Sequence, residues 1–435
     1  MAASNKSGSI IIELVLAIAL FSVTVTSLAS ITFDNRMAIS KNTDDRESLF
    51  MAESNLENSL AFDNSPPEGS VIYFSPCEKE IKSSSQSIEL KAALMDIKYA
   101  KAVGGDCGGY PPRGDWSLPT ISTANISSAL DSARALDISG NVLFIGTESA
   151  DHTESNILSL QADDYSSLSE LSIPQGLNAF DAAGRFVYVA AKGISDQFKI
   201  IDASDPRNMT LAASISLPGV SGSYPSGLSI FYYQSRVYIG THRTAGNEFH
   251  IFDVSDPYNP VWLGSIELNH NINAVAVRFP YAYLATSGNI RDVIILDISN
   301  PSVIQRISVT AFLGTEDAIS ANLIGNILYV GRKRGTAGTH PEFIALDVSD
   351  STLPAVAGSL YINADIISMR ILGSYAFLAL TRSSWPFQIL NIRDLTNIMP
   401  MYKASFSPPA AGIDYKDNKI FLILENTELK TLSTP

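Results

Sequence analysis

Cysteine is scarce, with two in 435 residues. That count excludes a disulfide-dense scaffold and a four-cysteine zinc site. Charge is thin as well: Asp, Glu, Lys and Arg make up 17% of the chain, against roughly 25% in an ordinary soluble domain. The balance is acidic, 44 Asp and Glu against 30 Lys and Arg, for a net charge of −14. Nucleic-acid phosphates demand a basic footprint, so this balance argues against a nucleic-acid partner. Long apolar runs are limited to one, near the N-terminus, which excludes a polytopic membrane protein. Apolar residues nonetheless reach 46%, enough to offset ordering entropy and exclude a disordered chain.

The apolar run begins after Gly8 as Ser9-Ile10-Ile11-Ile12-Glu13-Leu14-Val15-Leu16-Ala17-Ile18-Ala19-Leu20-Phe21 and continues to Phe33, with Glu13 as its one charge. At about 1.5 Å per residue it is longer than the roughly 30 Å core of a bilayer. No Gly or Pro occurs between Gly8 and Pro66 to stop a helix. Further on, Leu49, Ala52, Leu56 and Leu60 fall at helical spacing, with Asp45, Glu47, Glu53 and Glu57 between them. The pattern predicts one helix over 9–62, lipid-compatible in its first half and two-faced in its second.

Glu13 needs a partner, because a carboxylate inside a membrane segment costs about 2–3 kcal/mol or more when unpaired. A glycine, four residues and then a glutamate inside an apolar run resemble the prepilin segment of type IV pilins and pseudopilins. The resemblance covers residues 1–60. It implies that a prepilin peptidase cuts after Gly8, that Ser9 becomes the methylated N-terminus, and that Glu13 pairs with a neighbouring subunit's terminal amine during filament assembly. Ser9 stands where that family usually has Phe or Met. A secretory signal peptide cut near Ser27-Leu28-Ala29 and a plain membrane anchor are the competing readings of the same residues.

Residues 63–115 read as a small connector: a strand at Val71 to Phe74, a short helix near Ile88 to Ala102, and Cys77 and Cys107 on either side of that helix. In an exported domain these two cysteines are expected to form one disulfide. Its loop of about 30 residues contributes roughly 3 kcal/mol by the chain-entropy estimate. Arg113-Gly114-Asp115 matches a cell-attachment tripeptide, but its Gly/Pro-rich context reads first as a tight turn leading into Trp116.

From residue 116 onward the chain repeats itself every 44 to 50 residues. An apolar segment centred on Phe144, Tyr188, Tyr238, Tyr283, Tyr329, Phe377 and Phe421 recurs seven times. Behind most of these comes a second register, as in Ile200-Ile201-Asp202, Ile251-Phe252-Asp253, Ile295-Leu296-Asp297 and Ala345-Leu346-Asp347, running into turns such as Ser204-Asp205-Pro206. Short strands, turn punctuation and a period near 45 predict a seven-bladed β-propeller. The paired strands resemble the LVIVD-repeat propellers of bacterial surface proteins. The last unit has room for only three strands, so the segment 116–123 is expected to supply the fourth and close the ring. The fold class expected is therefore mainly β: a propeller over 116–435 on a long N-terminal α-helix, behind a leader at 1–8.

Little in the head reads as catalytic. His152, His242, His250, His270 and His340 show no metal-ligand spacing. No Gly-x-Ser-x-Gly elbow and no Asp-x-Asp-x-Asp-Gly calcium loop occurs. The repeated aspartates read as turn acceptors. We expect no cofactor, no metal and no enzymatic activity. The candidate binding rim is formed by the loops holding His242, Arg243, Arg332, Lys333 and Arg334. The expectation is a minor pilin or pilin-like subunit, set in the inner membrane by one span and then carried to the cell surface, with the head binding an unknown surface ligand at the filament tip. Its partners would be the prepilin peptidase and other pilin subunits. Alternatives are a pseudopilin of a secretion or competence apparatus and a membrane-tethered propeller enzyme.

Overall fold

The computed structural model describes residues 114–434, apart from short breaks at 127, 129–131, 150–153, 223–225, 289–290, 336–338 and 383, together with three short strands upstream. Gly8, Ser9, Glu13, the expected helix over 9–62, Cys77, Cys107 and Arg113 lie outside the described residues. No helix among the described residues is long and apolar enough to cross a membrane.

The upstream strands, Ile72–Tyr73, Glu80–Ser83 and Leu90–Lys91, form an antiparallel meander with Ile72 opposite Ser83 and Ile81 opposite Leu90. The strand expected at 71–74 is present but two residues long. The helix expected near Ile88 to Ala102 is corrected at Leu90–Lys91, which is extended. The alternation Ile88-Glu89-Leu90-Lys91 has the period of a strand, and Ile81 supplies the cross-strand partner.

Downstream stand seven four-stranded antiparallel sheets, six of them meanders in sequence order. The aromatic-centred segment is the second strand of every blade. It is buried almost throughout because it is covered by a neighbouring blade on each face, as in Val187, Tyr188, Val189 and Ala190. The Ile-Ile-Asp segment is the third strand, with its first four residues buried and its terminal aspartate half-buried. Outer strands face solvent and read exposed or half-buried. The apolar core is thus partitioned into the gaps between blades. One cluster, for example, unites Phe377, Phe387 and Ile389 of the sixth blade with Ile413, Ile420 and Leu422 of the seventh.

Ring closure follows the expected route with a shifted register. The seventh blade comprises Ala410–Lys416, Lys419–Leu424, Glu428–Ser433 and, as its outer strand, Thr120–Asn125. Leu432 sits opposite Ile121 and Lys430 opposite Thr123. The strand begins just after Pro119, whose missing N–H would interrupt a ladder. Trp116 does not belong to it. Its ring is fully buried edge-on against Phe377, with centroids 4.9 Å apart, so it plugs the gap between the sixth and seventh blades. Asp115 accepts a hydrogen bond from the Ser117 N–H at 2.8 Å, the tight turn expected ahead of Trp116.

Candidate functional site

The two faces of the ring are built from different loops. On one face, the first and second strands meet in two-residue turns such as Gly140-Asn141, Gly184-Arg185, Gly325-Asn326 and Gly373-Ser374. The glycines there take positive φ, between 53° and 62°, as such turns require. The third-to-outer connections on the same face close on themselves. Asp202, Asp253, Asp297 and Asp347 each accept from the serine N–H two residues on, at 2.7 to 2.9 Å. A second acceptor, Asp205, Asp256, Asn300 or Asp350, repeats the device three residues later. The repeated aspartates are turn acceptors, and this face is committed to its own hydrogen bonds.

The opposite face carries the longer connections, including 216–226, 242–248 and 333–342. They rest on a row of buried groups that sequence reading missed. Gln197, Glu248, Asp292 and Glu342 each stand one residue before a third strand and are nearly or fully inaccessible. Each side chain accepts from the backbone where the outer strand turns to the next blade. Gln197 takes the Leu217 N–H at 3.0 Å, Glu248 those of Leu268 and Asn269 at 2.7 and 2.9 Å, Asp292 that of Phe312 at 2.7 Å, and Glu342 those of Ile362 and Asn363 at 2.7 and 3.0 Å. The signal was present as an acid or amide directly ahead of Phe198, Phe249, Val293 and Phe343.

A second hidden set circles the axis. Asp414 accepts from the Ile138 N–H, Asp137 from Ala182 and Asp181 from Tyr232, each reaching the innermost strand of the next blade at 2.7 to 2.9 Å. Arg370 donates to Asp414 at 2.7 Å and lies 3.7 Å from Asp137. Burial opposes its charge, but the two carboxylates outweigh burial and raise its affinity for the proton. This ion pair therefore staples the composite blade to its neighbours.

Arg332 is a correction to the expected rim. It ends the second strand of blade five and its side chain is fully buried. Its guanidinium faces Asp292 at 3.5 Å and Glu316 at 3.3 Å, and donates to the carbonyls of Leu313, Glu316 and Pro341. His340 closes the group through the other Glu316 oxygen at 3.3 Å. Burial pushes Asp292 above the usual carboxylate range. Burial also opposes ionisation of Glu316, but its hydrogen bonds and the charges of Arg332 and His340 hold it below that range. Lys333 and Arg334 are exposed as expected. Lys333 pairs with Asp317 at 2.8 Å, and the Arg334 N–H donates to Asp365 at 2.8 Å.

His242 and Arg243 lie at the boundary of blades three and four. Asn271 accepts from the Arg243 N–H at 2.7 Å and hydrogen-bonds the His242 ring. His270, next in the chain to Asn271, donates from Nδ1 to the Ser287 carbonyl at 3.1 Å. Its Nε2 accepts from Arg291 at 3.2 Å. Gly288 makes this approach possible, since a Cβ there would come within 2.9 Å of His270 Nδ1. Burial lowers the pKa of both histidines, and Arg291 and Arg243 lower that of His270 further. His270 and Arg291 complete a basic group that sequence reading had only in part, because they lie in two other loops. Beneath it His250 is buried, its Nε2 donating to the Asn247 carbonyl at 2.9 Å, and desolvation drops its pKa to about 4.

Seven four-stranded blades, closed by a strand from the start of the ring, define a seven-bladed β-propeller. The LVIVD repeat family model matches residues 181–216, 237–267 and 272–307, within blades two, three and four, so the head carries LVIVD repeats. The chain is similar to virginiamycin B lyase from Staphylococcus aureus. To a catalytically inactive variant with quinupristin it is 11% identical, over 73% of this chain and 100% of that one, with a TM-score of 0.54. To the selenomethionine-substituted form it is 10% identical over the same shares, with a TM-score of 0.53. BamB from Moraxella catarrhalis is 12% identical over 73% of this chain and 98% of that one, with a TM-score of 0.48. At these identities the likeness to the lyase is one of fold. No curated protein matches the sequence.

Proposed function

We propose that this chain is a pilin-like subunit that presents its propeller as a binding head, at the tip of a filament, to a surface ligand. Glu13 carries the reading: a carboxylate five residues past Gly8, in an apolar run with no helix breaker before Pro66, has a purpose only where a neighbouring subunit supplies its partner. A propeller of about 320 residues is bulky for a close-packed shaft, which favours the tip. The face with the longer loops supports the binding role, because loops held on a rigid scaffold commonly carry recognition groups. We read the head as a binding module rather than an enzyme, since its repeated aspartates close turns and its buried acids cap strand connections. The inner membrane is its assembly site, and prepilin peptidase and other pilins are its partners in this scheme.

Mass spectrometry of the mature N-terminus is the test. A methylated Ser9 start supports the proposal, whereas a start at Ser30 overturns it in favour of secretion. Head-labelled filament preparations then separate the variants of the reading. Label confined to tips fits the adhesive head, label along the shaft fits a structural subunit, and no incorporation into filaments fits a tethered enzyme.

A further inference from the structure

The cations of the loop face differ in how far they are neutralised from within: Arg134 and Lys192, for example, share the buried Glu148. In blade five, Arg332 is enclosed by Asp292 and Glu316, and Lys333 is paired with Asp317. At the boundary of blades three and four, neither Arg243 nor Arg291 forms an ion pair among the described residues. The acid next to Arg291 in the chain, Asp292, is buried, faces Arg332 and accepts from the Phe312 N–H, and the acid closest to Arg243, Glu248, is fully buried. It is occupied by the N–H groups of Leu268 and Asn269 on one oxygen and of Thr244 on the other, at 2.7 to 3.1 Å.

Three loops converge there. His242 and Arg243 come from the second-to-third connection of blade three, His270 from the connection between the blades, and Arg291 from the second-to-third connection of blade four. Asn271 ties the first pair to the second loop, and the Arg291–His270 hydrogen bond ties the second loop to the third. Arg243 is exposed, while His242, His270 and Arg291 are half-buried. Two guanidinium groups with planar donor forks are suited to the paired oxygens of a carboxylate, sulfate or phosphate. The partial removal of Arg291 from water strengthens its contact relative to one on an open surface.

We propose that the junction of blades three and four is an oxyanion-binding site, with Arg243 and Arg291 as the principal donors and His242 as a third. His270 acts as a positioning residue that aims Arg291. This proposal deepens the binding-head reading and rests on it for its biological sense: the ligand would be a surface polymer bearing acidic groups, carboxylate or phosphate and sulfate esters. The oxyanion binds reversibly, with no bond made or broken.

The experiment is calorimetric titration of the full-length chain in detergent with sodium glucuronate, inorganic phosphate and sodium sulfate, at constant ionic strength set by chloride. Saturable binding of at least one anion is expected. Arg243→Ala with Arg291→Ala should weaken it at least tenfold, and the Arg243→Lys with Arg291→Lys variant should recover part of the loss. Lys333→Ala with Arg334→Ala should leave it within twofold. Tighter binding of glucuronate assigns an acidic glycan as the source, and tighter binding of phosphate or sulfate assigns an ester-bearing polymer. Absence of saturable binding for all three anions, or unchanged binding by the alanine pair, would overturn the site. The outcome is independent of the N-terminus: anion binding by a chain that begins at Ser30 keeps the site and removes the pilin reading, and a methylated Ser9 chain that binds none of the anions does the reverse.

Discussion

Two of the basic groups on the loop face differ in how visible they are in sequence and in what they are free to do. Arg332-Lys333-Arg334 is contiguous and conspicuous, yet its first member is sealed in a carboxylate cage and its second is paired with Asp317. Arg243, His270 and Arg291 are scattered over 48 residues, and no ion pair among the described residues neutralises the two arginines. Density of charge along the chain is therefore a poor guide to available charge. Availability depends on which acids the neighbouring blade brings to the same place.

The strongest test of this contrast is to open the cage. Arg332→Met leaves Asp292 and Glu316 facing each other without their cation, and loss of one partner from such a buried group costs about 3–5 kcal/mol. Denaturant titration should show that loss. A change under about 1 kcal/mol would mean that the cage is not a structural ion pair.

Next in size is the buried histidine beneath the open group. Folded His250 has a pKa of about 4, below the ordinary 6.5 that it regains on unfolding. Between those values the unfolded chain takes up a proton that the folded chain refuses. Stability should then fall as pH falls through that window, by roughly 3 kcal/mol at most, and level off below it. Gln388 occupies the same register in blade six, opposite Leu378 as His250 is opposite Ile239. His250→Gln should remove this component, read as the difference between wild-type and variant stability curves from pH 7 to 4. Parallel curves would show that His250 does not titrate as its burial requires.

Smaller effects on stability belong to the exposed residues. Arg243→Ala with Arg291→Ala should change folding stability by no more than about 0.5 kcal/mol, while weakening oxyanion binding at least tenfold in the titration above. A large stability loss would place these arginines in the same structural category as Arg332. Smallest of all is Lys333→Ala with Arg334→Ala. A surface pair such as Lys333–Asp317 contributes about 0–1 kcal/mol, so both the melting profile and anion affinity should stay near wild type.

Much of the fold was legible because its causes are local. The seven aromatic-centred strands are apolar over their whole length, since each is buried on both faces, and their spacing sets the blade count. The Asp and Pro turns were legible for the same reason: Asp202 and Asp205 find their hydrogen-bond partners two residues away. The closing strand was legible as a deficit in the last unit, though its register was not, because Trp116, expected to open that strand, is fully buried in a gap between blades. Leu90–Lys91 was misread as helix for want of its partner strand.

The site was less legible. His242 and Arg243 were identified from loop position, but Arg332 was placed on the wrong side of the surface, and His270 and Arg291 were not joined to them. The buried caps Gln197, Glu248, Asp292 and Glu342 and the axial set of Arg370, Asp414 and Asp137 also went unseen. The partners that define these roles lie 20 or more residues away, from Gln197–Leu217 up to Asp414–Ile138 at 276.

By itself, then, the sequence determined the repeat, the blade count, the turn chemistry and the need for a closing strand, because short apolar runs and backbone turns act over a few residues. Only the tertiary structure decided which charges serve the fold and which remain for a ligand. That decision is made where loops of adjacent blades meet, and a cation's freedom there depends on the neighbouring blade's carboxylates, not on its own neighbours in the chain.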